Sequence, residues 1–208
     1  MKIIFLDCDQ TLYRNNELMT AIRERMVQYM VKVLGKPVEE MVELRKSYLK
    51  SYGTTLAGLM RHQKIDPYDY MRFVHEVDVT GYINEDKKLR QTLLSLGVPI
   101  YILSNAPRDH VEKVLGILGI SDIPIKIFTI EDFDFEGKPN RRCFEKVCSE
   151  LGTTADSCWL VDDDAQNLEG AREFGMKTCL IDGQDGDGCD LEISTIYELA
   201  NYRNLFLE

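Results

Sequence analysis

Residues 3–13 read IIFLDCDQTLY, four apolar residues (Ile3 to Leu6) running directly into two carboxylates, Asp7 and Asp9. A short apolar run bounded by turn-forming residues predicts a buried strand. Acids at a strand tip have two readings. Asp caps helices and makes Asx turns, so the pair is either an ordinary polar turn or a reactive site. The rest of the chain chooses between them.

Similar apolar runs recur at residues 98–103, 125–130, 158–161 and 177–181, with segments of helical period between the later ones. This alternation predicts an α/β fold, a Rossmann-like parallel sheet with helices on both faces. The helices carry their own stops. Leu89, Leu93 and Leu96 precede Gly97; Val111, Val114, Leu115 and Leu118 precede Gly119; Phe144, Val147 and Leu151 precede Gly152; Leu168, Ala171 and Phe174 precede Gly175. Each glycine stands where a helix C-terminus favours a left-handed residue.

Residues 15–85 have little strand character and read as a helical insertion after the first strand. Leu18, Ile22, Met26 and Met30 fall four apart. A second helix is expected from Pro37, with Met41, Leu44 and Tyr48 on one side, and a third near Pro67. The Met-rich stripe reads as a packing surface rather than a cofactor site. The expected organisation is a core of residues 1–14 and 86–208 with a small helical cap, 15–85. The cap is expected over the C-terminal edge of the sheet, where open α/β folds bind ligands.

With 44% hydrophobic and 29% charged residues in 208, the composition is that of a globular domain. No run approaches the roughly 20 apolar residues that cross a bilayer. The first apolar run is too short for a signal-peptide core, so a cytoplasmic location is expected. Six cysteines form no C-x-x-C pair and lie mostly in apolar segments, reading as reduced thiols rather than disulfides or zinc ligands. A formal net charge of -10 without a Lys/Arg run argues against nucleic-acid polymers and anionic membranes as partners. A small anionic substrate stays open if a bound cation offsets the local charge.

Three later stretches offer chemistry that complements Asp7 and Asp9. YILSNAP (101–107) puts Ser104 and Asn105 at a strand tip before a helix expected to begin near Pro107 or Arg108. That placement suits an N-cap and an anion cradle alike. FEGKPN (135–140) holds Lys138 in a turn before a helix, where it would neutralise a phosphoryl oxygen or simply be solvated. CWLVDDDAQN (158–167) runs a strand into Asp162, Asp163 and Asp164 at a helix start, which the macrodipole favours in any case. A parallel sheet brings such strand ends together. Crowded carboxylates call for a hard cation, and Mg²⁺ suits one or two of them with waters and phosphate oxygens.

In this order, DCDQT, SN, GKP and DDDAQN resemble the four motifs of the haloacid dehalogenase-like hydrolase superfamily, and the insertion resembles its small helical cap. SYGTTLAGL (51–59) and RFVHEV (72–77) are similar to the branch that includes pyrimidine 5'-nucleotidases. The resemblance implies a phosphomonoester hydrolase with Asp7 as nucleophile, Asp9 as general acid/base and an aspartyl-phosphate intermediate. It implies Mg²⁺ held by Asp7, the Asp9 carbonyl and Asp162, assisted by Asp163. Ser104 and Lys138 would bind phosphoryl oxygens, with Asn105 beside them; Thr11 would support the turn, and Asn105 and Asn167 the loops. Gln10 departs from the family's more usual Gly or Asn, and Asp164 from a small residue. Asp9 itself speaks against dehalogenase chemistry, which needs no second acid.

Selectivity is expected from the cap, with Tyr52, Thr54, Thr55, Arg61, His62 and His75 as candidates; each histidine also suits plain packing. A pyrimidine nucleoside 5'-monophosphate is the leading substrate. A sugar-phosphate phosphatase, a phosphoglucomutase-type phosphotransferase and a non-catalytic binding module are the competing readings.

Overall fold

The computed structural model describes residues 2–181 and 188–207. The chain divides into two compact units, Met1–Arg14 with Ile83–Glu208, and Asn15–Tyr82.

In the first unit, strands β1 (Ile3–Leu6), β2 (Ile100–Leu103), β3 (Lys126–Phe128), β4 (Cys158–Asp162), β5 (Lys177–Ile181) and β6 (Leu191–Ile193) form a sheet in the order β3-β2-β1-β4-β5-β6. All pairings are parallel. The chain steps outward from β1 to β2 and β3, then returns to lay β4 on the other side of β1. The carboxyl ends of β1 and β4 therefore border the switch point where open α/β sheets bind ligands.

The apolar run of β1 is buried along its whole length, as a strand covered on both faces requires. Successive side chains alternate between the faces. Phe5, Tyr101, Leu103, Phe128, Leu160 and Leu180 share a core with Phe144 and Val147 of α7 (Arg141–Leu151) and Leu168 and Ala171 of α8 (Ala165–Phe174). On the opposite face Trp159 meets Phe206 of α9 (Arg203–Leu207) edge-on at 5.1 Å. There α9 and the preceding 3-10 helix, Ile196–Tyr202, pack along α5 (Lys87–Leu96). Helix α6 (Arg108–Leu118) follows β2. Gly97, Gly119, Gly152 and Gly175 all end their helices in the left-handed conformation that the sequence called for.

The strand bounds differ where local chemistry competes with pairing. The third run ends early because Thr129 and Asp132 form a capping box that turns Ile130–Phe133 into a 3-10 helix. Strand β6 escaped the sequence reading because only three residues pair and Glu192 among them is exposed.

The second unit holds α1 (Asn16–Leu34), α2 (Val38–Tyr52), α3 (Thr55–His62) and α4 (Pro67–Val74). Leu18, Ile22 and Met30 are buried as the spacing predicts, whereas Met26 is half-buried and Val27 and Tyr29 take core positions beside it. Pro37 is the N-cap of α2 rather than its first residue, while Pro67 does open α4 after the Asp66 cap. Helix α3 was not anticipated as a separate element. Gly53, at φ 77°, ends α2 and Thr54 caps the next helix within one residue. The two helices then pack so closely that a Cβ on Gly58 would lie 2.3 Å from the Tyr48 ring.

The six cysteines are free, five of them buried, as the apolar settings suggested. No described helix is long and apolar enough to cross a membrane.

Candidate active site

Asp7 is the first residue beyond β1, and its N–H donates to the carbonyl of Val161 in β4 (2.9 Å), tying the two strand tips together. Asp162 closes β4 and is fully buried. Between them lies Lys138, whose side chain has no exposed surface. Its ammonium donates to Asp7 Oδ1 at 2.8 Å and Asp162 Oδ2 at 2.5 Å. Asp162 also accepts from Asn167 Nδ2 (3.1 and 3.2 Å to its two oxygens) and from the Asp164 N–H (2.9 Å). Carboxylate oxygens of Asp7, Asp162 and Asp163 lie within 4.8 Å of one another.

Lys138 reaches this position because its loop is held at both backbone atoms. Asn105 Oδ1 accepts from the Lys138 N–H (2.8 Å) and Asn105 Nδ2 donates to its carbonyl (2.9 Å). The amide is therefore committed to the loop. Gly137 has no room for a side chain, since a Cβ there would sit 2.1 Å from Asn105 Oδ1 and 2.6 Å from Ile130 Cδ1. Ser104 is buried, and its Oγ accepts from the Ala106 N–H (3.1 Å), which leaves its hydroxyl hydrogen as a donor.

Asp9 follows Asp7 by two residues through a tight turn. Gln10 takes φ 63°, the left-handed region that Gly or Asn enters more cheaply, which accounts for the family's usual residues there. Asp9 Oδ1 accepts from His110 Nε2 at 2.8 Å and from the Tyr13 hydroxyl. Neither partner was singled out in the sequence. His110 lies 101 positions away from Asp9 in the chain, so no local pattern announces it. The turn hydrogen bond expected of Thr11 is not made, because its hydroxyl is buried without a partner. Asp164, a departure from the family pattern, caps α8 by accepting from the Gln166 N–H.

The electrostatics follow from burial. Asp7 is raised well above the usual carboxylate range by desolvation, with Asp162 and Asp163 adding to the rise and Lys138 opposing it. Asp163 is pushed up to about 7 by burial and the adjacent Asp162. Burial alone would depress the Lys138 ammonium, but Asp162 and Asp7 outweigh it and hold it above the ordinary lysine range. Tyr13 is likewise raised, by burial first and then by Asp9, so its hydroxyl stays a donor.

In the second unit, Tyr52, Arg61 and His62 come together. The Tyr52 hydroxyl and His62 Nε2 are 2.7 Å apart, His62 stacks on Tyr48, and the Arg61 guanidinium lies over Tyr52. The other candidates are placed differently. Thr54 caps α3, Thr55 is buried, and His75 Nδ1 bonds the Met71 carbonyl at the end of α4, so these three take structural positions.

Residues 1–175 match the model of the haloacid dehalogenase-like hydrolases. The chain belongs to this family and is a hydrolase by class. Among curated proteins it is 29% identical over 193 residues to Phosphate metabolism protein 8 of Saccharomyces cerevisiae, covering 84% of this chain and 60% of that protein. It is 26% identical over 196 residues to the glyceraldehyde 3-phosphate phosphatase of Pyrococcus abyssi, covering 86% and 80%. The chain thus spans less than two thirds of the yeast relative. Among solved structures, a HAD phosphatase from Thermococcus onnurineus superposes with a TM-score of 0.63 at 21% identity over 97% of each chain, a likeness of fold alone.

Proposed function

We propose that the chain is a phosphomonoester hydrolase working through an aspartyl-phosphate on Asp7. The observation that carries this reading is Lys138, buried and paired with both Asp7 and Asp162 at the sheet's switch point, beside an Asp9 held by His110 and Tyr13. Curated relatives named as phosphatases support it.

An Asp7 oxygen attacks phosphorus in line with the ester oxygen; the new O–P bond forms as the ester P–O bond breaks. Asp9 gives its proton to the departing alkoxide. It then takes a proton from water, which attacks the aspartyl-phosphate, frees phosphate and restores Asp7. The Lys138 ammonium and Ser104 hydroxyl donate to phosphoryl oxygens as negative charge accumulates there. The crowding of Asp7, Asp162 and Asp163, two of them raised in pKa by burial and mutual repulsion, fits a hard divalent cation. Mg²⁺ would be held by these three and the Asp9 carbonyl, and would offset phosphate charge when bound.

For the substrate, a pyrimidine nucleoside 5'-monophosphate is favoured by the cap motifs SYGTTLAGL and RFVHEV. A small sugar phosphate is favoured by the archaeal relative. Phosphate release from UMP, CMP, glyceraldehyde 3-phosphate and hexose phosphates, with Mg²⁺ and with a chelator, tests the reading. Metal-dependent release that Asp7→Asn abolishes supports it. Isomerised product with little free phosphate would indicate a phosphotransferase, and a fully active Asp7→Asn protein would exclude the covalent route.

A further inference from the structure

We infer that His110, together with Tyr13, is a positioning residue that holds the Asp9 carboxyl in one orientation through its Oδ1. The inference rests on the phosphatase reading above and names the residues that orient Asp9 for its acid/base work.

His110 sits in the first turn of α6, with only 3% of its side chain exposed, and its Nε2 lies 2.8 Å from Asp9 Oδ1. The Tyr13 hydroxyl donates to the same oxygen. An ionised carboxyl is acceptor-only, so Nε2 carries the hydrogen of the His110 contact and Nδ1 is the other ring position. Both donors thus converge on one carboxylate oxygen. Turning the carboxyl would abandon both donors, so its orientation is fixed while they hold it.

General acid catalysis needs this definition. When the ester bond breaks, the proton must stand on the oxygen that faces the leaving group; a freely rotating carboxyl would often present the wrong one. Proton and bonds balance without a further reactant: the Asp9 O–H bond breaks, the alkoxide oxygen gains the proton, and Oδ1 keeps its two donors throughout.

The role predicts a leaving-group signature. An alkyl phosphate needs a proton at its departing oxygen, whereas p-nitrophenyl phosphate leaves as a stable phenolate. The value of kcat/KM reports the first chemical step. For His110→Leu it should fall by about 10- to 100-fold on the best alkyl phosphate and by less than about threefold on p-nitrophenyl phosphate. His110→Gln, which restores an amide donor, should recover most of the loss, and Tyr13→Phe should show the same selective pattern should the leucine variant fail to fold. In an Asp9→Asn background His110→Leu should add nothing further. Equal losses on both esters, no loss, or additive losses with Asp9→Asn would overturn the inference while leaving the phosphatase reading intact. A wild-type protein that hydrolyses neither ester would defeat that reading, and this inference with it.

Discussion

Lys138→Met removes the charge that stands between two buried carboxylates while keeping much of the side chain's volume. At an effective dielectric of about 20, contacts of 2.8 and 2.5 Å correspond to gross attractions of about 6 and 7 kcal/mol. Desolvation of the ammonium offsets several of those. Removing one partner of a buried ion pair leaves a net cost of about 3–5 kcal/mol. With a urea slope of about 2–3 kcal/mol/M, the midpoint should drop by about 1–2 M. The loss should depend on pH. Asp7 already lies above its unfolded value, so the native state binds its proton more tightly than the unfolded chain does, and the strain of the ionised carboxyl is relieved as pH falls through the folded value. Without Lys138 that folded value rises further. The penalty should therefore be greatest at alkaline pH in chelator and shrink at acidic pH. Urea unfolding at both pH values measures this directly. A variant as stable as wild type at the higher pH, or equally destabilised at both, would refute the account of Lys138 as the charge that holds Asp7 and Asp162 together. In the phosphatase assay the same variant should lose about 10²–10³ in kcat.

Gly137→Ala should break the Asn105 clamp, because its Cβ would stand 2.1 Å from Asn105 Oδ1; a loss of about 1–3 kcal/mol in urea midpoint analysis and of about tenfold in kcat/KM is expected. Phe144→Ala empties a fully buried site stacked on Phe174, and should cost about 3–5 kcal/mol of stability while leaving kcat per folded molecule near wild type. Mg²⁺ should raise the melting temperature more at about pH 8 than at about pH 6, because Asp163, pushed up to about 7, must lose its proton for the ion to bind; thermal unfolding at fixed Mg²⁺ checks the sign.

Much of the core was written locally. The apolar run Ile3–Leu6, the helix faces and the left-handed glycines after α5, α6, α7 and α8 depend on residues within a few positions of each other, so periodicity and cap chemistry reveal them without the rest of the chain. The candidate acids were legible too, since each follows an apolar run. Where the sequence reading failed, the local signal was short: β6 pairs over only three residues, one of them the exposed Glu192, and only Gly53 and Thr54 separate α3 from α2. Thr11 shows the same limit, because its hydroxyl was assigned a turn bond that the folded chain does not make.

The juxtapositions belong to the fold alone. Lys138 meets Asp7 across 131 positions and Asp162 across 24, and His110 meets Asp9 across 101. No spacing rule couples residues so far apart. They meet because parallel strands β1, β2 and β4 lie side by side in the sheet, and because Asn105, at the end of β2, fixes the loop that carries Lys138. The sequence by itself determined which groups stand at the strand ends; the tertiary structure decided which of them share a proton, a charge or a hydrogen bond, since those interactions require contact within about 3 Å.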